Sequence, residues 1–147
     1  MKDLTNLKTY IIDSDNPKEI DDAISIEIDN NKNEYLWIHI TNPCRLFDFD
    51  SKLDKDARIK CSSLYLLDEY IPMLPKELIQ EANLKQHKIS ETISACIQFN
   101  IDGSINKYSI TEARIKPNYE LSYSDADQIL ELEPIEEYEL IKIRDLI

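Results

Sequence analysis

Apolar and polar residues alternate with a two-residue period over several stretches of the chain. Ile24, Ile26 and Ile28 alternate with Ala23, Ser25 and Glu27, and Leu36, Ile38 and Ile40 stand opposite Tyr35, Trp37 and His39. Ile93, Ala95, Ile97, Phe99 and Ile101 likewise share one side of Glu91–Ile101. Such a period predicts β-strands with one buried face. Thr9–Ile12 reads as a further short strand. The turn residues Asp29-Asn-Asn-Lys-Asn33 join the first alternating pair into an antiparallel unit. Asp102-Gly103, with the only glycine of the chain, predicts a hairpin that returns over Ser104–Ile115. Alternation slips between Ile105 and Tyr108 in that return, which predicts a bulge.

Helices are expected where the period lengthens. Ser51 is placed to cap Lys52–Lys60. Pro72 and Pro75 exclude a regular helix over Ile71–Pro75, so an ordered, extended connection is expected before a short helix at Lys76–Asn83. Ser124 with Asp127 resembles a capping box opening a helix to Leu132, and Pro134 suits the first turn of a last helix. That helix carries a wide apolar stripe of Ile135, Tyr138, Leu140, Ile141, Ile143, Leu146 and Ile147. The stripe either docks on the chain's own sheet or is covered by further protein or a partner chain over Ile135–Ile147. The expected fold is α+β: a mostly antiparallel, twisted sheet of about five strands with short helices on one side. Residues 1–8 read as a polar lead-in and 9–147 as a single domain.

Composition narrows the function. At 42% hydrophobic residues the chain buries a core despite being 31% charged, which argues against disorder. Lys+Arg at 17 against Asp+Glu at 29 gives a net charge of -12, which repels nucleic acid at long range. Cys44, Cys61 and Cys96 are odd in number and widely spaced, suggesting neither a disulfide frame nor a zinc site. No charged-then-apolar leader opens the sequence and no run has the length of a membrane span, so a soluble, cytoplasmic protein without membrane contact is expected.

The candidate chemistry is concentrated between the first two strands. Asp13, Asp15, Glu19, Asp21 and Asp22 crowd a short loop answered only by Lys18. Two carboxylates about 5 Å apart repel by roughly 3 kcal/mol at an effective dielectric of ~20. Strands at both ends keep the loop from splaying, so either water or a cation must solvate the cluster. A calcium EF-hand frame starting at Asp13 fails, because Lys18 replaces the glycine and Ile24 the final glutamate. The hard donors favour Mg²⁺ or Mn²⁺. His39 has neither the spacing nor a nucleophile for catalysis and is expected to hydrogen-bond behind the acidic loop; His87, among lysines, reads as surface.

The string Ile12-Asp13…Glu19-Ile-Asp21-Asp22-Ala-Ile-Ser25 resembles the signature of the ribonuclease II/R family, the RNB catalytic domain. Further stretches follow in collinear order: Trp37-Ile-His39-Ile-Thr-Asn-Pro43, Ser51-Lys-Leu-Asp54 with Ala57-Arg58, Ser63-Leu-Tyr65-Leu with Ile71-Pro-Met-Leu-Pro75, and Thr111–Tyr123. The set is most similar to cyanobacterial and plastid members.

The resemblance implies a processive exoribonuclease that degrades single-stranded RNA from the 3′ end to nucleoside 5′-monophosphates with Mg²⁺. On it, Asp13 and Asp22 match the principal metal-binding acids and Asp21 the aspartate critical for cleavage. Glu19 matches the remaining acid of the site, where many members have Asp. Asp21 and Asp22 are thereby the catalytic candidates. Tyr65 matches an aromatic packed against the RNA 3′ end, and Tyr123 a second tyrosine near the RNA channel. The family's domain continues past the matched motifs, so the chain is expected to be the first half of an RNB domain. A second half and OB-fold domains would then lie outside it. Two alternatives stay open: a non-catalytic remnant or interaction module that keeps the fold, and a metal-binding acidic domain unconnected with RNA.

Overall fold

Each alternating stretch becomes a strand, and the turns between them dictate antiparallel neighbours. The computed structural model describes residues 1–146. In chain order the strands and helices are β1 (Lys2–Asp3), β2 (Thr9–Asp13), β3 (Asp22–Ile28), β4 (Glu34–Thr41), α1 (Lys52–Lys60), β5 (Leu64–Tyr65), β6 (Tyr70–Ile71), α2 (Lys76–Ala82), β7 (Ser90–Phe99), β8 (Ile105–Ile115), β9 (Tyr119–Ser122), α3 (Tyr123–Leu132) and α4 (Tyr138–Leu146). The chain forms two compact units. One runs from Met1 to Thr41 and again from Leu84 onward; the other is Asn42–Asn83.

The first unit is a sheet in the order β1-β8-β7-β4-β3-β2-β9. The five strands read from the sequence are its antiparallel centre, β8 to β2. Two short parallel edges extend it: β9 beside β2 and β1 beside β8. Within residues 1–8, Lys2–Asp3 supplies an edge strand and Leu4 enters the core. The expected bulge is present: Gln98 pairs with Lys107 but Phe99 with Ile105, leaving Asn106 as the extra residue. The turn before it uses Gly103 at φ 81, and the Asp102 carboxylate accepts from the Ser104 amide at 3.0 Å.

Both faces of this sheet carry an apolar cluster, while Ile40, Ile93, Tyr108 and Ile110 on β4, β7 and β8 stay exposed. On one, Tyr10, Ile26 and Leu36 pack against Leu140 and Ile143 of α4, with Ile129 and Leu130 of α3 beside them. Each buried Leu or Ile is worth about 1.5–3 kcal/mol, so the apolar stripe of the last helix is largely satisfied by the chain's own sheet. Ile135 remains 90% exposed, and Ile147 lies outside the described residues. The last helix also starts later than expected, with Pro134 preceding a 3₁₀ turn at Ile135–Glu137. Glu137 in that turn is buried and accepts from the hydroxyls of Tyr10 at 2.7 Å and Tyr119 at 2.8 Å, while Lys8 lies 3.6 Å away. The two tyrosine rings stack with centroids 5.4 Å apart. On the other face Leu4, Ile11, Ala23, Trp37, Leu84, Ala113 and Ile115 form a second cluster.

The capping box of α3 is real but stands two residues before the expected one. Ser122 caps the helix and Asp125 reciprocates, so Tyr123 is the first helical residue.

The second unit is small. Ser51 accepts from the Asp54 amide at 3.2 Å and Arg58 pairs with Asp54 at 2.6 Å, so α1 forms as expected. Ala57, Leu74 and Ile79 make its core with Phe47, Tyr70 and Met73. The proline-rich connection contains a minimal hairpin in which Leu64 faces Ile71 and Tyr65 faces Tyr70.

Candidate functional site

The acidic loop is held by its main chain and by one apolar side chain. Ile20 packs against the Leu4–Trp37 cluster, and its carbonyl accepts from the Leu84 amide at 2.9 Å. The next carbonyl, of Asp21, accepts from the Thr41 amide at 2.7 Å. With Ile20 pinned inward, Asp21 and Asp22 are left exposed at the mouth of β3. Thr9 faces Ser25 and Tyr10 faces Ile24, so the antiparallel β2–β3 pair brings Asp13, the last residue of β2, toward them.

The electrostatics record that approach. Burial, then the neighbouring charge of Asp21, then that of Asp13, push the Asp22 carboxyl above the usual carboxylate range. Asp22 thus feels the charges of two of the other acids singled out in the sequence. Glu19 is half-buried in the same loop.

A cleft of about 510 Å³ opens beside Asp13. One wall is Asp13, Ser14, Asp15 and Pro17; the other is Glu120, Leu121, Ser122, Ser124 and Asp125. The walls meet because β9 runs parallel to β2 with Asp13 opposite Ser122. Tyr123 is 60% exposed and stands between two residues that line this cleft. Nothing local in the sequence points to Glu120 or Asp125, since only the parallel pairing carries them to Asp13. Tyr65 belongs to the second unit, is 61% exposed, and lies with its ring 5.1 Å from that of Tyr70.

Behind the loop, a chain of side-chain hydrogen bonds crosses four strands. Ser25 Oγ lies 2.9 Å from His39 Nε2, His39 Nδ1 lies 2.8 Å from Ser94 Oγ, and Ser94 Oγ lies 2.9 Å from Thr92 Oγ1. Thr92 Oγ1 donates to the Ala113 carbonyl at 3.3 Å. That last bond sets the direction of the rest. With its proton committed to Ala113, Thr92 accepts from Ser94, Ser94 accepts from Nδ1–H, and Nε2 accepts from Ser25. Burial pulls the imidazole down to about 4, in keeping with a neutral ring. His39 is fully buried with both nitrogens bonded, as expected for a group behind the loop, and His87 is exposed. The burial of Ser25, Thr92 and Ser94 was not expected, because alternation assigns the core to the isoleucines between them.

Residues 1–146 match the family described as the RNB domain. The chain belongs to the RNB-domain family. Ribonuclease II, chloroplastic/mitochondrial, of Arabidopsis thaliana is 37% identical over 139 residues, covering 94% of this chain and 17% of that protein. An uncharacterized ribonuclease of Synechocystis is 37% identical over 131 residues, covering 88% of this chain and 20% of the relative. The chain thus spans about a fifth of these curated relatives. The solved structure of Mycoplasma genitalium RNase R in complex with double-stranded RNA superposes with a TM-score of 0.79 at 26% identity, over 90% of this chain and 24% of that one. The likeness to plastid and cyanobacterial ribonucleases and the mostly antiparallel α+β fold both stand.

In this RNB domain the donor chemistry can be set against a divalent ion. Asp13, Asp21 and Asp22 are hard oxygen donors, and the charges of the first two press on the third. Among the described residues no three His, Cys, Asp or Glu side chains form a ready-made cage. Carboxylate oxygens suit Mg²⁺ or Mn²⁺, which bind through one or two carboxylates plus water and substrate phosphate. Among the described residues no helix is long and apolar enough to cross a membrane. Cys44, Cys61 and Cys96 are free thiols.

Proposed function

We propose that this chain is the acid-bearing part of an RNB-type exoribonuclease that hydrolyses single-stranded RNA from its 3′ end to nucleoside 5′-monophosphates. In this reading Asp13, Glu19, Asp21 and Asp22 hold Mg²⁺ or Mn²⁺, with Asp21 and Asp22 nearest the chemistry. The observation that supports it is the pressure that the charges of Asp21 and Asp13 put on the Asp22 carboxyl at the mouth of two paired strands. A divalent ion, when bound, supplies a more acidic water and offsets charge on the phosphoryl oxygens.

The chain's own residues do the rest. The main-chain anchors at Ile20 and Asp21 fix where the carboxylates point. Tyr65 offers a ring on which a terminal base stacks without being identified, a contact worth ~1–3 kcal/mol. Ser122 and Ser124 at the start of α3 line the cleft beside Asp13, and Tyr123 stands between them as the RNA-contact candidate. The net charge of -12 opposes RNA, so attraction must come from bound cations and from basic surface supplied elsewhere. That surface fits the role of further RNB and OB-fold portions, in keeping with relatives about five times as long. Solution in the cytoplasm is part of the same proposal.

The test uses the chain with 3′-labelled single-stranded RNA and Mn²⁺, with Asp21→Asn as control. Metal-dependent release of monophosphates that Asp21→Asn abolishes supports the reading. A second reading, a fold-retaining module without activity, is favoured by the lack of a three-donor cage among the described residues. It predicts Mn²⁺ binding without any monophosphate release, even when RNA is saturating. If the chain binds no Mn²⁺, the proposed metal site is wrong.

A further inference from the structure

The apolar pattern of this sheet leaves one ambiguity that other groups must resolve. A slip of β3 by one residue would turn Ile24 and Ile26 to the wrong face and is forbidden by hydrophobicity. A slip by two residues keeps every isoleucine on its face, because Ile24, Ile26 and Ile28 repeat with that period, as do Leu36, Ile38 and Ile40 on β4 and Ile93, Ala95 and Ile97 on β7. Burial of these residues alone barely distinguishes the two registers. Asp21 and Asp22 would nonetheless move about 7 Å relative to Asp13 and Thr41.

The buried hydrogen bonds do distinguish them. In the observed register Ala23 faces His39 and His39 faces Ser94. Ser25 and Ser94 then meet the two ring nitrogens of His39, and Thr92 passes the chain of bonds to Ala113. Ser25, His39, Thr92 and Ser94 are all buried. Any slip strands polar groups that water cannot reach, which forfeits their full desolvation cost.

We propose that His39 is a positioning residue: through Ser25 on β3 and Ser94 on β7 it fixes the strand register that presents Asp21 and Asp22 to the metal. The metal part of this rests on the function proposed above; the register part does not. The bond most exposed to a change of register is that from the Thr41 amide to the Asp21 carbonyl, which joins the end of β4 to the acidic loop.

His39→Ala removes a buried ring and risks failure to fold, so the decisive variants are Ser25→Ala and Ser94→Ala, with Ser25→Thr retaining the hydroxyl. Two quantities are measured on the 147-residue chain: hydrogen exchange at individual amides and Mn²⁺ affinity. The expected result is selective loss of protection at Thr41, about tenfold, with protection unchanged at Leu4, whose amide bonds Arg114 across the sheet. Mn²⁺ affinity falls by about tenfold alongside, and Ser25→Thr restores both. Unchanged Thr41 exchange in both alanine variants overturns the proposal. So does a uniform loss at Thr41 and Leu4, which would mark a purely structural role. If the wild-type chain binds no Mn²⁺, the metal reading fails and Thr41 exchange still decides the register claim.

Discussion

The amide of Thr41 donates to the carbonyl of Asp21 at 2.7 Å, and that bond keeps the first of two adjacent aspartates from retreating into solvent. Asp22 follows with its carboxyl raised by burial and by the charges of Asp21 and Asp13. The sign of the consequence is definite. A carboxyl raised in the folded state binds its proton more tightly there than in the unfolded chain. Its ionisation therefore destabilises the fold, with no cost below the ordinary carboxylate range and the full cost above the raised value. Asp22→Asn should thus raise the stability of the metal-free chain at pH 7 by roughly 0.5 kcal/mol, a small figure because the carboxyl is only partly desolvated in a residue that solvent still reaches and screens. The same substitution should abolish Mn²⁺ binding. Thermal melts with and without Mn²⁺ measure both; a lower melting point for metal-free Asp22→Asn would show that Asp13 and Asp21 do not press on Asp22.

His39 titrates in the opposite sense. Its folded value of about 4 lies below the ordinary 6.5, so the unfolded chain binds the extra proton first as pH falls. The stability it contributes is fully present above the ordinary histidine value and is lost as pH drops toward 4. Over that window the loss should be about 3 kcal/mol, taking 1.36 kcal/mol per pH unit. Urea unfolding at a series of pH values measures the slope, and ¹⁵N spectra of the ring test its cause. Nδ1 should carry the proton and Nε2 should be bare at pH 7. The reverse tautomer would contradict the direction assigned to the Ser25–His39–Ser94–Thr92 chain.

Glu137 ties α4 to the sheet. Its carboxylate receives the hydroxyls of Tyr10 and Tyr119, one on each oxygen, and burial together with Glu137 pushes the Tyr10 hydroxyl above its ordinary range. Glu137→Ala strands both hydroxyls and should cost about 2–3 kcal/mol, whereas Tyr10→Phe removes one donor and should cost about 1–2 kcal/mol. Equal and negligible effects in urea denaturation would mean that the apolar contacts of Leu140 and Ile143 hold the helix unaided.

Legibility in the sequence followed the range of the interaction concerned. Four of the five antiparallel strands could be read from their alternation and turns, and Thr9–Ile12 from its short apolar run alone. The edges β1 and β9 could not, since two and four residues are too short to show a period and both pair with strands far along the chain. The α3 cap shows the same limit. Ser122 with Asp125 and Ser124 with Asp127 are both Ser-x-x-Asp frames, and pairing of β9 with β2 as far as Ser122 selects the earlier one. The acidic cluster was legible as a local motif. Its opposite wall at Glu120 and Asp125 was not, and neither was the buried polar face of β7, where Thr92 and Ser94 look like surface residues between isoleucines.

Tyr65 tests the proposed RNA contact without touching the sheet. It lies on a minimal hairpin in the second unit, largely exposed, with Tyr70 as its ring partner. Tyr65→Ala should therefore change folding stability by no more than about 1 kcal/mol, the scale of an aromatic pair. Its effect on a bound oligonucleotide should be larger, since a stacked base contributes ~1–3 kcal/mol, which is roughly five- to 150-fold in affinity. The background matters, because a chain of net charge -12 should bind single-stranded RNA weakly and only with divalent cations present. Fluorescence anisotropy with a labelled single strand at low salt, with and without Mg²⁺, gives both numbers. Tight binding that survives high salt would contradict the charge argument. Unchanged affinity in Tyr65→Ala would end the proposed role of Tyr65 in RNA binding.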